Sequence, residues 1–193
     1  DIFWSTSNVA AYRNTLTGVD VSHNTELCTL DLGAANNLTY LNIDGCTNLR
    51  RLYLNECTAL GGEINCSGFN QLQYIYTNRI AYKKDVKVNL SGCSNLQQAY
   101  FYVDSNLTEL NLTGCNMLRT LIVTANRKLT SLDLSNLKNL ETCSTNYNTA
   151  LSSLNLSGCV KLCSLGFYRN TMLSSVYLTG CSNIEVITGN NCP

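Results

Sequence analysis

The chain has 193 residues, of which 13% are charged, and its thirteen basic residues balance thirteen acidic ones, so the formal net charge is zero. This length is enough for one domain with a well-buried core, and the neutral balance argues against recognition of nucleic acid or anionic membranes through overall charge. No apolar run approaches the ~20 residues of a membrane span, and the first residues, DIFWSTSN, carry no signal-peptide pattern.

The chain holds eleven cysteines, an odd number, so they cannot all pair within one molecule. Structural zinc sites usually show closely spaced ligand pairs, but the sequence contains no C-x-x-C, and His23 is its only histidine. No base accompanies any cysteine, and no pair of carboxylates has the arrangement that glycoside hydrolysis needs. We therefore predict no metal, no cofactor and no enzymatic activity.

Leucine opens most of a series of short units that follow one another at steps of close to eleven residues. Positions +3 and +5 of a unit are usually apolar, as at Leu110 and Leu112, and this spacing of two is typical of β-strands. The units open at residues 6, 16, 27, 38, 49, 60, 72, 85, 96, 107, 118, 129, 140, 151, 162, 173 and 184.

Two kinds of unit alternate along the chain, so the full repeat is about 22 residues long. The first kind reads L-x-x-L-N/D-L-S/T-G-C-x-x, as in LTELNLTGCNM from Leu107, and the second reads L-x-x-L-x-x-x-x-N-x-x, as in LRTLIVTANRK from Leu118. One turn cannot bury its own leucines, but stacked turns can, with their strands paired in parallel ~4.8 Å apart. Eight to nine turns predict a rod about 40 Å long with one regular sheet and a second, shorter or looser one.

Together these patterns resemble the leucine-rich repeat family, and the nested 11+11 form is similar to bacterial members such as surface proteins of gut Bacteroidetes. The resemblance extends from about Thr6 to Cys192, but the alanine–phenylalanine signature of one bacterial subgroup and the proline-bearing repeats of ubiquitin-ligase effectors are missing. It implies a mainly β, right-handed solenoid of parallel sheets and an exported protein at the cell surface or outside the cell. We expect one domain, 1–193, with a partial first turn or N-cap at 1–15 and irregular turns with insertions at 60–84.

Position +8 of the units accepts Asn, Cys, Leu and Ala, which favours a packed position in a turn over a chemical site. There a buried Asn amide or Cys thiol can bond to loop backbone groups that would otherwise lack partners. The alternative is a disulfide ladder between turns, for which Cys93–Cys115 and Cys159–Cys181 are the candidate pairs. The predicted turn ladder comprises Cys46, Cys57, Cys93, Cys115, Asn126, Asn148, Cys159, Asn170 and Cys181.

Two outward positions of the strands are candidates for function. Position +4 of the first kind of unit is nearly always Asn or Asp, which predicts either a solubilising amide ladder or a polar face for a sugar or peptide. Position +4 of the second kind is tyrosine in three consecutive turns. Beside those turns the segment 78–85 carries insertions, which in repeat proteins often lie on the binding face.

The tyrosine-bearing turns therefore predict a site that binds a protein, such as a host or cell-surface protein. We predict neither nucleic-acid binding nor membrane insertion. Exposed tyrosines suit protein interfaces and also stack on sugar rings. The alternatives are a glycan-binding surface, tyrosines that only shield the sheet, and a passive spacer within a larger surface protein. The candidate residues are Tyr53, Tyr74, Tyr76, Arg79, Tyr82, Lys83, Lys84, Tyr100 and Tyr102.

Overall fold

A computed structural model of the chain describes residues 15–80 and 84–192, which form sixteen short parallel strands stacked as a β-solenoid, with no helix in these two ranges. The unit opening at residue 6 and the predicted N-cap lie outside the described residues, apart from Thr15, and so do Tyr82 and Lys83. The strands are β1 Gly18–Asp20, β2 Thr29–Asp31, β3 Tyr40–Asn42, β4 Arg51–Tyr53, β5 Gly62–Asn65, β6 Tyr74–Asn78, β7 Val86–Asn89, β8 Gln98–Tyr102, β9 Leu107–Asn111, β10 Thr120–Thr124, β11 Ser131–Asp133, β12 Thr142–Ser144, β13 Ser153–Asn155, β14 Ser164–Gly166, β15 Ser175–Tyr177 and β16 Val186–Thr188.

The two kinds of unit build two different faces. The even-numbered strands, from the second kind of unit, form one continuous sheet of eight strands, the long sheet. The odd-numbered strands, from the first kind, form the segmented face, which is divided into β1–β3, β5–β7–β9 and β11–β13–β15. The prediction of one regular sheet and a second, looser one is confirmed, as is the mainly β solenoid with turns of about 22 residues.

The core lies between the two faces and consists of the inward side chains of both. Along the long sheet, Leu52, Ile75, Ala99 and Leu121 occupy successive strands at the same register and are fully buried. Because every turn contributes the same apolar positions, the core is one continuous column of side chains along the solenoid.

Apart from the unit opening at Leu60, each described unit passes through a left-handed backbone conformation one residue before position +8. In the first kind of unit this residue is usually glycine, as at Gly114 (φ 82°), which adopts the conformation without steric cost. In the second kind it carries a side chain, as at Ala125 (φ 61°) and Val103 (φ 54°). A left-handed non-glycine residue costs roughly 1–2 kcal/mol, so the stacked turns must hold these residues in place.

Position +8 is a buried hydrogen-bond ladder, as the turn interpretation predicts. The Cys115 and Cys159 thiols donate to the Leu90 and Leu134 carbonyls of the preceding turn at 3.2 and 3.1 Å, and the Asn126 amide likewise donates to the Phe101 carbonyl at 3.1 Å. In all of these bonds the acceptor precedes the donor by 25 residues, so the thiol takes over the role of the amide.

The disulfide alternative is not realised, because all eleven cysteines are free thiols. Burial raises the pKa of Cys115 to about 12 and that of Cys159 to about 11, so both remain protonated donors at neutral pH. Cys93 and Cys181 also donate to carbonyls of the preceding turn, and therefore the Cys93–Cys115 and Cys159–Cys181 pairs do not form.

An extra residue in the unit opening at Leu60 shifts this ladder. The chain passes through Gly62 in a left-handed conformation (φ 87°). Gly68 is at position +8 of this unit, but it is Phe69 that donates its N–H to the carbonyl three residues back, that of Cys66. Cys66 therefore occupies an inward strand-end position and is fully buried.

The Asn and Asp residues at position +4 of the first kind of unit close the turns. Their side-chain oxygens accept the N–H of the residue two positions later, as Asn89 does from Ser91 at 3.1 Å and Asp133 from Ser135 at 2.9 Å. Asn155 also donates to Asp133 in the preceding turn at 3.1 Å. These contacts account for the column as turn-forming side chains, as is usual for Asn and Asp.

Replacing Asn148 by alanine should reduce the free energy of unfolding by about 2–4 kcal/mol. The Asn148 amide donates to the Val123 and Thr145 carbonyls at 2.6 and 2.8 Å, and its oxygen accepts the Asn126 N–H at 2.7 Å, all in a buried position. Urea denaturation measures the loss. The exposed neighbour variant Thr149→Ala should change stability by less than about 0.5 kcal/mol, and equal losses for the two variants would contradict a structural role of the ladder.

A candidate recognition surface on the long sheet

Five tyrosines on β4, β6 and β8 form a continuous aromatic layer on the outer side of the long sheet, here called the tyrosine surface. In-register pairing aligns Tyr53 with Tyr76 and Tyr76 with Tyr100. Tyr74 and Tyr102 lie two residues away on the same strands, and alternation along a strand therefore places them on the same side. Five of the nine predicted site residues are thus brought together: Tyr53, Tyr74, Tyr76, Tyr100 and Tyr102.

The five rings contact one another in an unbroken chain. Ring centroids lie 5.2 Å apart for Tyr53 and Tyr74, 5.5 Å for Tyr74 and Tyr100, and 6.2 Å for Tyr76 and Tyr100. Tyr102 lies 6.0 Å from Tyr76 and stacks on Tyr100 at 6.2 Å. These separations are typical of favourable aromatic pairs, and all five side chains are half-buried, so the rings restrict one another's movement.

Most of the hydroxyl groups of the tyrosine surface are available to a ligand. Tyr100 donates to the Gln98 side chain at 3.2 Å, whereas the other four hydroxyls make no hydrogen bond with the described part of the chain. Burial, followed by the neighbouring phenols, raises the pKa of Tyr74 to about 12. Tyr74 therefore presents a neutral phenol that can both donate and accept hydrogen bonds.

The charged residues predicted for this site do not all lie beside it. Arg79 lies in the turn after β6, where it forms an exposed ion pair with Glu56 at 3.7 Å and donates its N–H to the Tyr102 carbonyl at 3.0 Å. Lys84 lies beside Gly61, just before β5, on the segmented face. Within the segment 78–85, which was predicted to carry insertions, Ile80 is fully buried in the ladder.

A buried carboxyl group lies directly behind the tyrosine surface. Asp104 occupies position +8 after β8 and is fully buried; it accepts the Ile80 N–H at 3.0 Å and shares a hydrogen bond with the Thr77 hydroxyl. Burial raises the pKa of Asp104 to about 7, although its hydrogen bonds act in the opposite direction. The sequence signal is an Asp at a position that usually holds Cys or Asn, which the sequence analysis did not interpret as functional.

A second, smaller aromatic cluster lies two turns further along the chain and was also missed. The Arg169 guanidinium lies 5.7 Å from the ring centroid of Tyr147 and 5.3 Å from that of Tyr168. Tyr147 and Arg169 are the left-handed residues of successive turns, so a side chain at that position can reach its neighbour in the stack.

Other classes of site receive no support from the described residues. Residues 15–80 and 84–192 contain no group of three His, Cys, Asp or Glu side chains placed to hold a metal ion. No helix in that part of the chain is long and apolar enough to cross a membrane.

Comparison with known proteins gives no independent assignment, because no family model matches the chain and no curated protein matches it either.

The stability of the protein should fall as the pH rises from about 4 to about 7, and Asp104→Asn should abolish much of this fall. The folded-state pKa of Asp104 lies above its ordinary value of 3.8, so the native state is favoured while the carboxyl is protonated. The free energy of unfolding therefore falls by about 1.4 kcal/mol per pH unit until the pH passes about 7. At pH 8 the variant should be a few kcal/mol more stable than the wild type. Urea denaturation at pH 5 and pH 8 measures both effects.

The Asn side chain fits this environment elsewhere in the same protein, because the Asn170 amide faces the Thr145 hydroxyl at 3.5 Å as Asp104 faces Thr77. The control is Asp44→Asn, at an exposed carboxyl, which should keep the wild-type pH dependence. A variant at residue 104 that behaves like the control would contradict the titration of Asp104.

Proposed function

We propose that the protein is a non-catalytic recognition module of leucine-rich-repeat type that binds a protein partner through the tyrosine surface. The observation that carries this proposal is the unbroken contact of five tyrosine rings across three adjacent strands. Nested 11-residue units within 22-residue turns support the repeat type. Export to the cell surface or the extracellular space is part of the proposal and rests on the resemblance to bacterial surface proteins.

The physical case for a protein partner rests on preorganisation. Tyrosine is enriched among the residues that contribute most to protein–protein affinity, because it has a large apolar area and a polar end but few rotatable bonds. Here the rings already restrict one another, so little conformational entropy is lost on binding. The exposed Arg51 at the start of β4 adds a cation at the edge of this surface, and arginine is also enriched at interfaces.

A glycan is the second candidate ligand, because the half-exposed rings and their unbonded hydroxyls suit stacking on a sugar ring. Arg79 and Glu56 neutralise each other at the edge of the surface, so this ion pair favours neither candidate. A screen of the protein on a polysaccharide array separates the two: a glycan whose binding depends on Tyr76 would replace the protein proposal.

Partners selected from a displayed library of folded proteins against the wild-type chain should lose at least tenfold in affinity for the double variant Tyr76→Ala/Tyr100→Ala. Removing the two central rings leaves only the Tyr53–Tyr74 contact of the surface. Surface plasmon resonance measures the affinity, and thermal unfolding measures the stability of each variant.

The matched control is Tyr177→Ala, because Tyr177 is an outward tyrosine on β15 of the other face and is 53% exposed. Its affinity should stay within twofold of the wild type. A double variant that unfolds at a much lower temperature while its folded form binds normally would show that the tyrosines only shield the sheet, and the proposal would then be wrong.

A further inference from the structure

The segmented face is open between β3 and β5. These strands are neighbours in the stack, but β3 pairs only with β1 and β5 pairs only with β7. A cleft of about 420 Å³ occupies the space between them, with one wall from 39–44 and the other from 60–65. On the opposite side of the same two turns, β2, β4 and β6 remain paired, so the turns separate on one face only.

The sequence of β5 is irregular at the point where the face opens. In regular turns a hydroxyl at position +1 donates to a carbonyl 22 residues earlier, as Thr39 does to Thr17 at 3.0 Å and Ser152 to Thr130 at 3.0 Å. Gly61 occupies this position in the β5 turn and has no hydroxyl. The extra residue that follows, Gly62, instead donates its N–H to Asp85 in the next turn at 2.9 Å, which joins β5 to β7.

Both walls of the cleft are strand edges with backbone groups directed into it. Backbone groups point alternately to the two sides of a strand, and β3 uses those of Tyr40 and Asn42 to bond with β1. The N–H groups of Leu41 and Ile43 therefore face the cleft. By the same alternation the backbone groups of Glu63 and Asn65 face it from β5, since Gly62 and Cys66 bond toward β7.

The cleft has an apolar floor and an acidic rim. Leu41 is an inward residue, yet it is only partly buried, whereas its counterparts Leu132 and Leu154 are 3% and 0% exposed. Asp44 and Glu63 are exposed at the rim of the cleft. Neither forms an ion pair within 4.0 Å in the described part of the chain, although Lys87 stands beside Glu63 in the β5–β7 register and Lys84 lies beside Gly61.

We propose that this cleft binds an extended polypeptide segment that alternates basic and apolar residues and adds a strand between β3 and β5. Its backbone bonds to the two free strand edges, one row of side chains covers Leu41 and the apolar floor, and the basic row faces Asp44 and Glu63. Addition of a strand to an open sheet edge is an established mode of peptide recognition, with affinity from the main chain and specificity from alternate side chains. The site is separate from the tyrosine surface, because the two lie on opposite faces of the solenoid.

A second opening of the segmented face provides an internal control. It lies between β9 and β11 and is smaller, about 300 Å³, and its rim also carries acidic residues, Glu109 and Asp133. Its inward leucines, Leu110 and Leu132, are 9% and 3% exposed, so its floor is closed. Glu109 is also engaged by Lys87 at 2.6 Å. Strand addition is therefore expected between β3 and β5 and not here.

The test uses the synthetic peptide acetyl-KVKVKVK-amide, with fluorescence anisotropy for affinity and hydrogen exchange for the site. The wild-type protein should bind the peptide, and binding should slow the exchange of the Leu41 and Ile43 amides. Asp44→Lys/Glu63→Lys should weaken binding at least tenfold, whereas Glu109→Lys/Asp133→Lys should stay within twofold of the wild type. The same peptide methylated at alternate backbone nitrogens should bind at least tenfold more weakly.

Several outcomes would overturn the proposal. Equal affinity for the methylated peptide would show attraction by charge alone, and equal loss in both double variants would show no preference for this cleft. Protection of Leu41 and Ile43 that rises with protein concentration but not with peptide would identify a second copy of the chain as the occupant. Absence of any binding or protection would also refute it. The tyrosine variants do not affect this assay, so it fails or succeeds independently of the proposed function.

Discussion

Every element of this protein depends on the contact between one turn and the next. A single turn has strands of three to five residues, too short to be stable alone, and it cannot cover its own leucines. Stacking supplies both needs, because it pairs each strand with the strand one turn away and closes the apolar column. The side chains that do not contribute to that column are the ones free to vary, and the tyrosine surface and the rim of the cleft are built from them.

The turn ladder shows how different side chains satisfy one requirement. Where the slot holds a donor, that donor is small and buried and reaches a carbonyl in the preceding turn, and both a protonated thiol and an amide fill this role. Asp104 instead accepts the Ile80 N–H and bonds to the Thr77 hydroxyl, and burial raises its pKa to about 7. Asp104 lies just after β8 and bonds to Thr77 of β6 on the side opposite the tyrosines, so the tyrosine surface rests on the part of the core that contains this pH-sensitive group.

The repeat period, the positions of the strands, the two faces and the role of the cysteines could all be predicted from the sequence, because each is repeated many times. Single events could not. The interruption of strand pairing at Gly61 depends on whether β5 pairs with β3 or with β7, and a periodic sequence pattern does not contain that information. The tyrosine surface could be predicted because in-register strands align equal positions, but the location of Lys84 could not, because the insertion before it breaks the register. The left-handed residues of the second kind of unit carry side chains of several types, so no single residue type marks them in the sequence.

The unequal continuity of the two faces has a mechanical consequence. In the described part of the chain, eight hydrogen-bonded strands form one unbroken sheet on one side, while the other side consists of separate sheets of two, three and three strands. Such an object is stiff along the long sheet and yields at two joints on the opposite face, one after β3 and one after β9. Tension or bending applied to the protein would therefore open these joints before it disturbed the tyrosine surface. The solenoid would behave as three rigid segments connected by the long sheet.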